Sequence, residues 1–144
     1  MPDSSAGQGP ASSSGEAVSD ADRIAAAQSY IDALVSHDGD AVPFAPGCIR
    51  IEQGVKTGYS GNHLRRSLNR GPQYRIISAA STPQYTVSGD QVRAVYSVAT
   101  KAAFAGRRIA ARVDETFVIP ADSPTGEAKI HHIKVRFRPS VQRT

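Results

Sequence analysis

Residues 91–119 read QVRAVYSVATKAAFAGRRIAARVDETFVI, and this run decides the fold class. Two long segments, 91–103 and 107–119, carry strand patterning and flank Ala105-Gly106, which reads as a turn. In the second segment Ile109, Ala111, Val113, Glu115, Phe117 and Ile119 share one strand face. Ala110, Arg112, Asp114, Thr116 and Val118 share the other. The first set is more apolar and is expected to face the core, which makes Glu115 the inward carboxylate. In the first segment Tyr96 is in phase with Val92, Ala94 and Val98, so it is expected on the same inner wall.

Working outward, residues 84–87 and the turn Ser88-Gly89-Asp90 complete a hairpin with 91–103. Further strands are expected over 74–81 and 129–138. The helices come earlier. Asp20 or Asp22 is a candidate N-cap, and Ile24, Ala27, Tyr30 or Ile31, and Leu34 or Val35 recur at helical spacing up to Ser36. His37-Asp38-Gly39-Asp40 stops this helix. Residues 41–45, broken by Pro43, allow at most one helical turn. Residues 48–53 form the first strand, 54–61 a glycine-punctuated connection, and 63–68 a second short helix closed by Arg70-Gly71-Pro72. Helices first and then an antiparallel meander predict an α+β fold, a bent sheet with helices on one face.

The 144 residues suit one domain. Residues 1–21 are rich in Ser, Gly, Ala and acids, and are expected to be a disordered tail. The domain is placed at 22–139, with a short C-terminal tail at 140–144. The start lacks the basic and apolar pattern of a secretory signal, and no apolar run approaches the ~20 residues of a membrane span. These features predict a cytoplasmic protein with no membrane association. Cys48 is the single cysteine, so neither a disulfide framework nor a cysteine metal site is expected. The formal charge of +4 comes from thirteen Arg and four Lys against thirteen acids. No aromatic interleaving accompanies the basic clusters, which argues against a nucleic-acid partner.

Residues 49–54 read IRIEQG. On an extended strand Arg50 and Glu52 share a face opposite Ile49 and Ile51. That face either meets solvent as a salt bridge or lines a polar cavity. On the last strand His131 is in phase with Ile133, Val135 and Phe137, so it is expected inward; His132 is expected outward. Adjacent strand residues point apart, so the two histidines are not a metal pair. Gly54, Gly58 and Gly61 lack the Gly-Lys-Ser/Thr of a phosphate loop. No metal and no cofactor are predicted.

YIDALV at 30–35 followed by HDGD, FAPGCIRIE at 44–52, GNHLRRSL at 61–68, RVDETFVI at 112–119 and KIHHIKVRFRP at 129–139 together resemble the nuclear-transport-factor-2-like (NTF2-like) superfamily. That superfamily includes SnoaL-like and ketosteroid-isomerase-like proteins. The short 41–45 segment looks more like an uncharacterised actinobacterial and fungal branch, a domain of unknown function. The resemblance implies a cone-shaped, curved, mostly antiparallel sheet with the N-terminal helices on its concave face. It also implies an enclosed pocket and a homodimer.

By likeness to ketosteroid isomerase, Tyr30 matches a hydrogen-bond donor, Glu52 the base and Glu115 a second donor. Arg50 departs from that pattern, since an adjacent cation favours the charged form of Glu52 and weakens it as a base. Limonene-epoxide hydrolase suggests a second set, Arg112-x-Asp114, but residues 133–136 lack the further carboxylate that family uses. The expected catalytic residues are therefore Tyr30, Glu52, Glu115 and His131, and the expected ligand contacts are Arg50, Tyr96, Arg112 and Asp114. The expected function is binding of a small, apolar-bodied organic molecule, with isomerase or dehydratase/cyclase activity. The alternative is a non-catalytic dimeric interaction module that uses its sheet face.

Overall fold

The computed structural model describes residues 16–143, and its first helix is capped by Ser19. The Ser19 Oγ accepts the Asp22 backbone N–H at 3.1 Å, which is N-cap geometry. The cap is thus one residue before the expected acids, and Asp20 and Asp22 sit in the first turn, where they complement the helix dipole. Glu16–Ala17 precede the cap as a two-residue strand, β1. Val18 is buried, and its N–H bonds Ala121 O at 2.7 Å. The expected tail boundary at residue 21 is therefore too late, because this short pairing satisfies the backbone of residues that composition alone reads as loose. Residues 1–15 of that expected tail lie outside the described residues.

Helix α1 spans Asp20–Ser36, and its buried face carries Arg23, Ala26, Ala27, Tyr30, Ile31, Ala33 and Leu34. Arg23 is fixed by Nε donation to Ile119 O at 2.7 Å and Nη2 donation to Gly89 O at 2.6 Å. These bonds tie the helix to the sheet two turns before Tyr30. His37 ends the helix in the left-handed region, with φ 61°, and returns its N–H to Ala33 O at 2.8 Å. One 3₁₀ turn at Gly39–Ala41 follows.

Strand β2 runs Phe44–Glu52, so it begins four residues before the expected Cys48. Gln53 and Gly54, with φ 51° and 81°, turn it into β3, Val55–Gly58. Helix α2, Gly61–Arg70, is capped by Ser60, whose Oγ accepts the His63 N–H. A third helix, α3, follows at Pro72–Arg75, where a strand start was expected. Proline at its first position suits a helix start and disfavours a ladder. The remaining strands are β4 (Ile77–Ala80), β5 (Gln84–Ser88), β6 (Gln91–Phe104), β7 (Arg107–Val118), β8 (Asp122–Ser123) and β9 (Ile130–Arg143). The last strand stays paired with β7 to its end, Arg143 opposite Arg107, so the expected C-terminal tail is strand up to Arg143.

The main sheet has the order β3-β2-β9-β7-β6-β4, with β5 also pairing β6. β1 and β8 form a separate pair. The β2–β9 pairing is parallel and the other described pairings are antiparallel. Register shifts interrupt several ladders, including β6–β7 between Ala99 and Ala103, and such bulges bend a sheet. The concave side of the sheet and the inner face of α1 enclose one core, in which Tyr30 meets Phe117 edge to face at 5.5 Å. Gly58 permits a close approach in this core: a Cβ there would lie 2.3 Å from Leu64 Cδ2 and 2.9 Å from Arg50 Cβ.

Candidate functional site

A cavity of about 330 Å³ opens from this core toward the free end of the sheet. Its apolar wall includes Leu34, Ile77, Val98, Val113 and Val135, and its polar lining includes Tyr30, Glu52, Tyr96 and Glu115. Ile76, Ile109 and Phe137 stand partly exposed at its rim. A larger groove of about 650 Å³ lies between α1 and β4, but Asp32 is its only ionisable lining residue.

Strand register sets the polar groups. Val135 on β9 lies opposite Glu52 on β2 and opposite Glu115 on β7. The two carboxyl residues therefore stand in one row, with a single strand between them. Their Cα atoms are roughly 10 Å apart at two strand spacings. Glu115 is 1% exposed, and Tyr96 Oη donates to its Oε1 at 2.6 Å. Burial pushes the Glu115 carboxyl up to about 8, against the pull of that hydrogen bond. Near neutral pH it is mainly a neutral acid. No described hydrogen bond engages its Oε2.

Glu52 is more open, with 18% of its side chain exposed. Tyr74 Oη donates to Glu52 Oε2 at 2.5 Å, and Arg50 Nε approaches the same oxygen at 3.8 Å. Both contacts fall on Oε2, and no described hydrogen bond engages Oε1. Arg50 itself is completely buried, and its donors are used elsewhere. Nε reaches Thr57 Oγ1 at 3.0 Å, Nη1 reaches Tyr30 Oη at 3.3 Å, and Nη2 reaches Thr57 O and Ser67 Oγ at 3.1 and 3.2 Å. The Tyr74 ring also lies 4.7 Å from the guanidinium carbon. Tyr30 Oη accepts from Arg50, so its own O–H remains a donor. Burial raises the hydroxyl pKa values of Tyr30, Tyr74 and Tyr96 above the usual range, so all three stay protonated.

The structure thus brings Tyr30, Glu52, Tyr96 and Glu115 around one cavity. Arg50, expected to contact ligand, lies behind the wall and anchors Tyr30, because β3 and α2 consume its donors. Arg112 and Asp114, also expected to contact ligand, point to the outer face, since Val113 and Glu115 take the inner positions. The Arg-x-Asp pair is therefore outside the cavity. His131 is exposed, not inward. Ile130 and Ile133 are both fully buried three residues apart, so strand alternation breaks between them and turns His131 out. Tyr74 was missed from sequence; Gly71-Pro72 before it was the available signal for a helix start. Cys48 is buried, and burial pushes its thiol up to about 12, which makes it a poor nucleophile near neutrality. No described helix is long and apolar enough to cross a membrane.

The curved sheet, the helices over its concave side and the enclosed cavity define an NTF2-like, cystatin-like α+β fold, and solved structures agree. An LEH-like epoxide hydrolase from M. tuberculosis superposes with TM-score 0.63 at 16% identity, over 82% of this chain and 84% of that one. A ketosteroid isomerase-like protein from Erwinia carotovora atroseptica gives 0.57 at 18% identity, over 81% and 94%. A de novo designed protein with a curved β-sheet gives 0.64 at 10%, over 84% and 88%. At these identities the likeness concerns fold alone. A search of curated proteins found no match. The chain belongs to the family described as Domain of unknown function (DUF8021), whose model matches residues 16–137.

Proposed function

We propose that the cavity binds a small, apolar-bodied carbonyl compound and that the protein moves a proton on it, as an isomerase or a lyase. One observation carries this reading. Two carboxyl groups in the same sheet row face one apolar cavity, and Glu115 is held as a neutral acid to about pH 8 while Glu52 keeps an oxygen open. A base paired with neutral donors is the arrangement that proton transfer beside a carbonyl requires.

Glu52 Oε1 takes the proton from the carbon next to the carbonyl. The electron pair moves onto the carbonyl oxygen, where the Tyr30 O–H and the Glu115 acid stabilise the developing enolate. Glu52 then returns the proton at another carbon, or a leaving group departs from the neighbouring carbon. Tyr74 orients Glu52, and Arg50 polarises Tyr30. The ionised forms of these donors are disfavoured by burial, which suits groups that share a proton without losing it. The cavity volume lies at the small end of ligand sites, which span about 300–1,000 Å³.

The test is Glu52→Gln in a thermal-shift screen against terpenoid, steroid and polyketide-like carbonyl compounds, followed by hydrogen–deuterium exchange at the carbon of any hit. A bound ligand raises the melting midpoint by mass action. The wild type is expected to exchange the carbon-bound hydrogen, and the variant to fold normally and lose exchange. Full exchange in Glu52→Gln would remove Glu52 from the chemistry.

A further inference from the structure

The outer face of the sheet carries a charge pattern that the cavity chemistry leaves unused. Register places Arg93, Thr116 and Lys134 in one row, Val95, Asp114 and Arg136 in the next, and Ser97, Arg112 and Arg138 in a third. Five cations and one carboxylate stand in these three rows. Their balance equals the +4 of the whole chain.

The carboxylate is already committed. Arg93 grips Asp114 in a fork, Nε to Oδ1 at 2.9 Å and Nη2 to Oδ2 at 2.6 Å. Arg112 and Arg138 stand directly opposite each other across β7 and β9, and like charges in that position repel. Among the described residues neither has a hydrogen-bond or ion-pair partner. Together with Arg136 they line a groove of about 580 Å³ whose wall includes Val95 and Phe137.

We propose that this face docks an extended acidic segment of a partner protein. Lys134, Arg136 and Arg138 alternate along β9, so their stems repeat about every 6.4–6.8 Å, which is also the repeat of alternate side chains in an extended peptide. Carboxylates on such a peptide meet successive cations, and the forked guanidinium groups suit them. Val95, which shares this face with Asp114 and Arg136, adds apolar contact. A second copy fits badly, because a two-fold contact through this face sets +4 against +4. Nucleic acid also fits badly, since Asp114 sits among the cations and no row of stacking aromatics accompanies them. The proposal is independent of the reaction in the cavity.

The experiment measures fluorescence anisotropy with two labelled heptapeptides of equal composition at low ionic strength. One alternates glutamate and serine; the other holds its glutamates in a block. The alternating peptide is expected to bind about fivefold tighter or more, and binding is expected to weaken as salt screens it. Arg112→Glu with Arg138→Glu is expected to reduce binding about tenfold or more, and the milder Arg112→Gln with Arg138→Gln to reduce it less. Both positions are at the surface, and circular dichroism verifies folding. Equal affinity for the two peptides overturns the proposal, as does unaltered binding by the folded variants. A single-stranded oligonucleotide that outcompetes the peptide also overturns it. So does a sedimentation profile in which the wild type is a dimer and the charge-reversed variant a monomer.

Discussion

Asp114 and Glu115 are neighbours in the chain and opposites in environment. Asp114 faces outward, where the hydrogen bonds from Arg93 hold its carboxyl below the usual range. Glu115 faces inward, where burial pushes its carboxyl up to about 8. The same pleat sorts the arginines. Arg50 is fully buried with each donor nitrogen hydrogen-bonded, whereas Arg112 and Arg138 confront each other on the open side. The identity of a side chain therefore says little about its role until its strand phase is known. One step along β7 turns a solvated ion into a buried acid.

The largest expected effect tests the inner half of this contrast. Glu115 binds its proton more tightly in the folded chain than its ordinary value of 4.5 would give. The folded state then holds more protons than the unfolded state between about pH 4.5 and 8. This contribution to stability is fully present below that window and is lost as pH rises through it. The loss is on the order of 5 kcal/mol at most. Urea unfolding from pH 5 to 8.5 is expected to show the fall, and Glu115→Gln to flatten it. An equally steep fall in the variant assigns the dependence to other groups.

The next effect compares the arginines. Arg50→Met strips the donors from Tyr30, Thr57 and Ser67 inside the core. It is expected to cost about 2–4 kcal/mol in urea unfolding. Arg112→Met on the outer face is expected to leave the midpoint within replicate scatter. Similar losses at both positions would break the comparison. The smallest effect has the opposite sign. Arg138→Glu turns the like-charge pair with Arg112 into an attractive one, and a gain of about 0.2–1 kcal/mol is expected in thermal unfolding.

Much of this was legible from residue phase. Alternation through 109–119 placed Glu115 inside, and 92–98 placed Tyr96 beside it, because long uninterrupted strands preserve a two-residue period. The same logic failed at His131, where the ladder shifts and alternation breaks. It also cannot show depth. Arg50 was read correctly as sharing a face with Glu52, yet the sequence gives no sign that Thr57, Ser67 and Tyr30 converge on it from three other elements. Arg112 and Asp114 were assigned to ligand by family likeness, although their phase already set them opposite Glu115. The short α3 that delivers Tyr74 has four residues and no apolar period to read; only its leading proline marks it.

The parallel pairing of β2 with β9 has a temporal consequence. Glu52 and Glu115 meet only through Val135, which lies between them in the sheet but after both in the chain. During synthesis, both carboxyl residues leave the ribosome before the strand that aligns them exists. Loop closure across more than half the sequence must come first, and contacts of such range form slowly. The row of carboxyl groups is therefore a late product of folding. A nascent chain that has reached residue 130 carries every polar group of the cavity and still has no site.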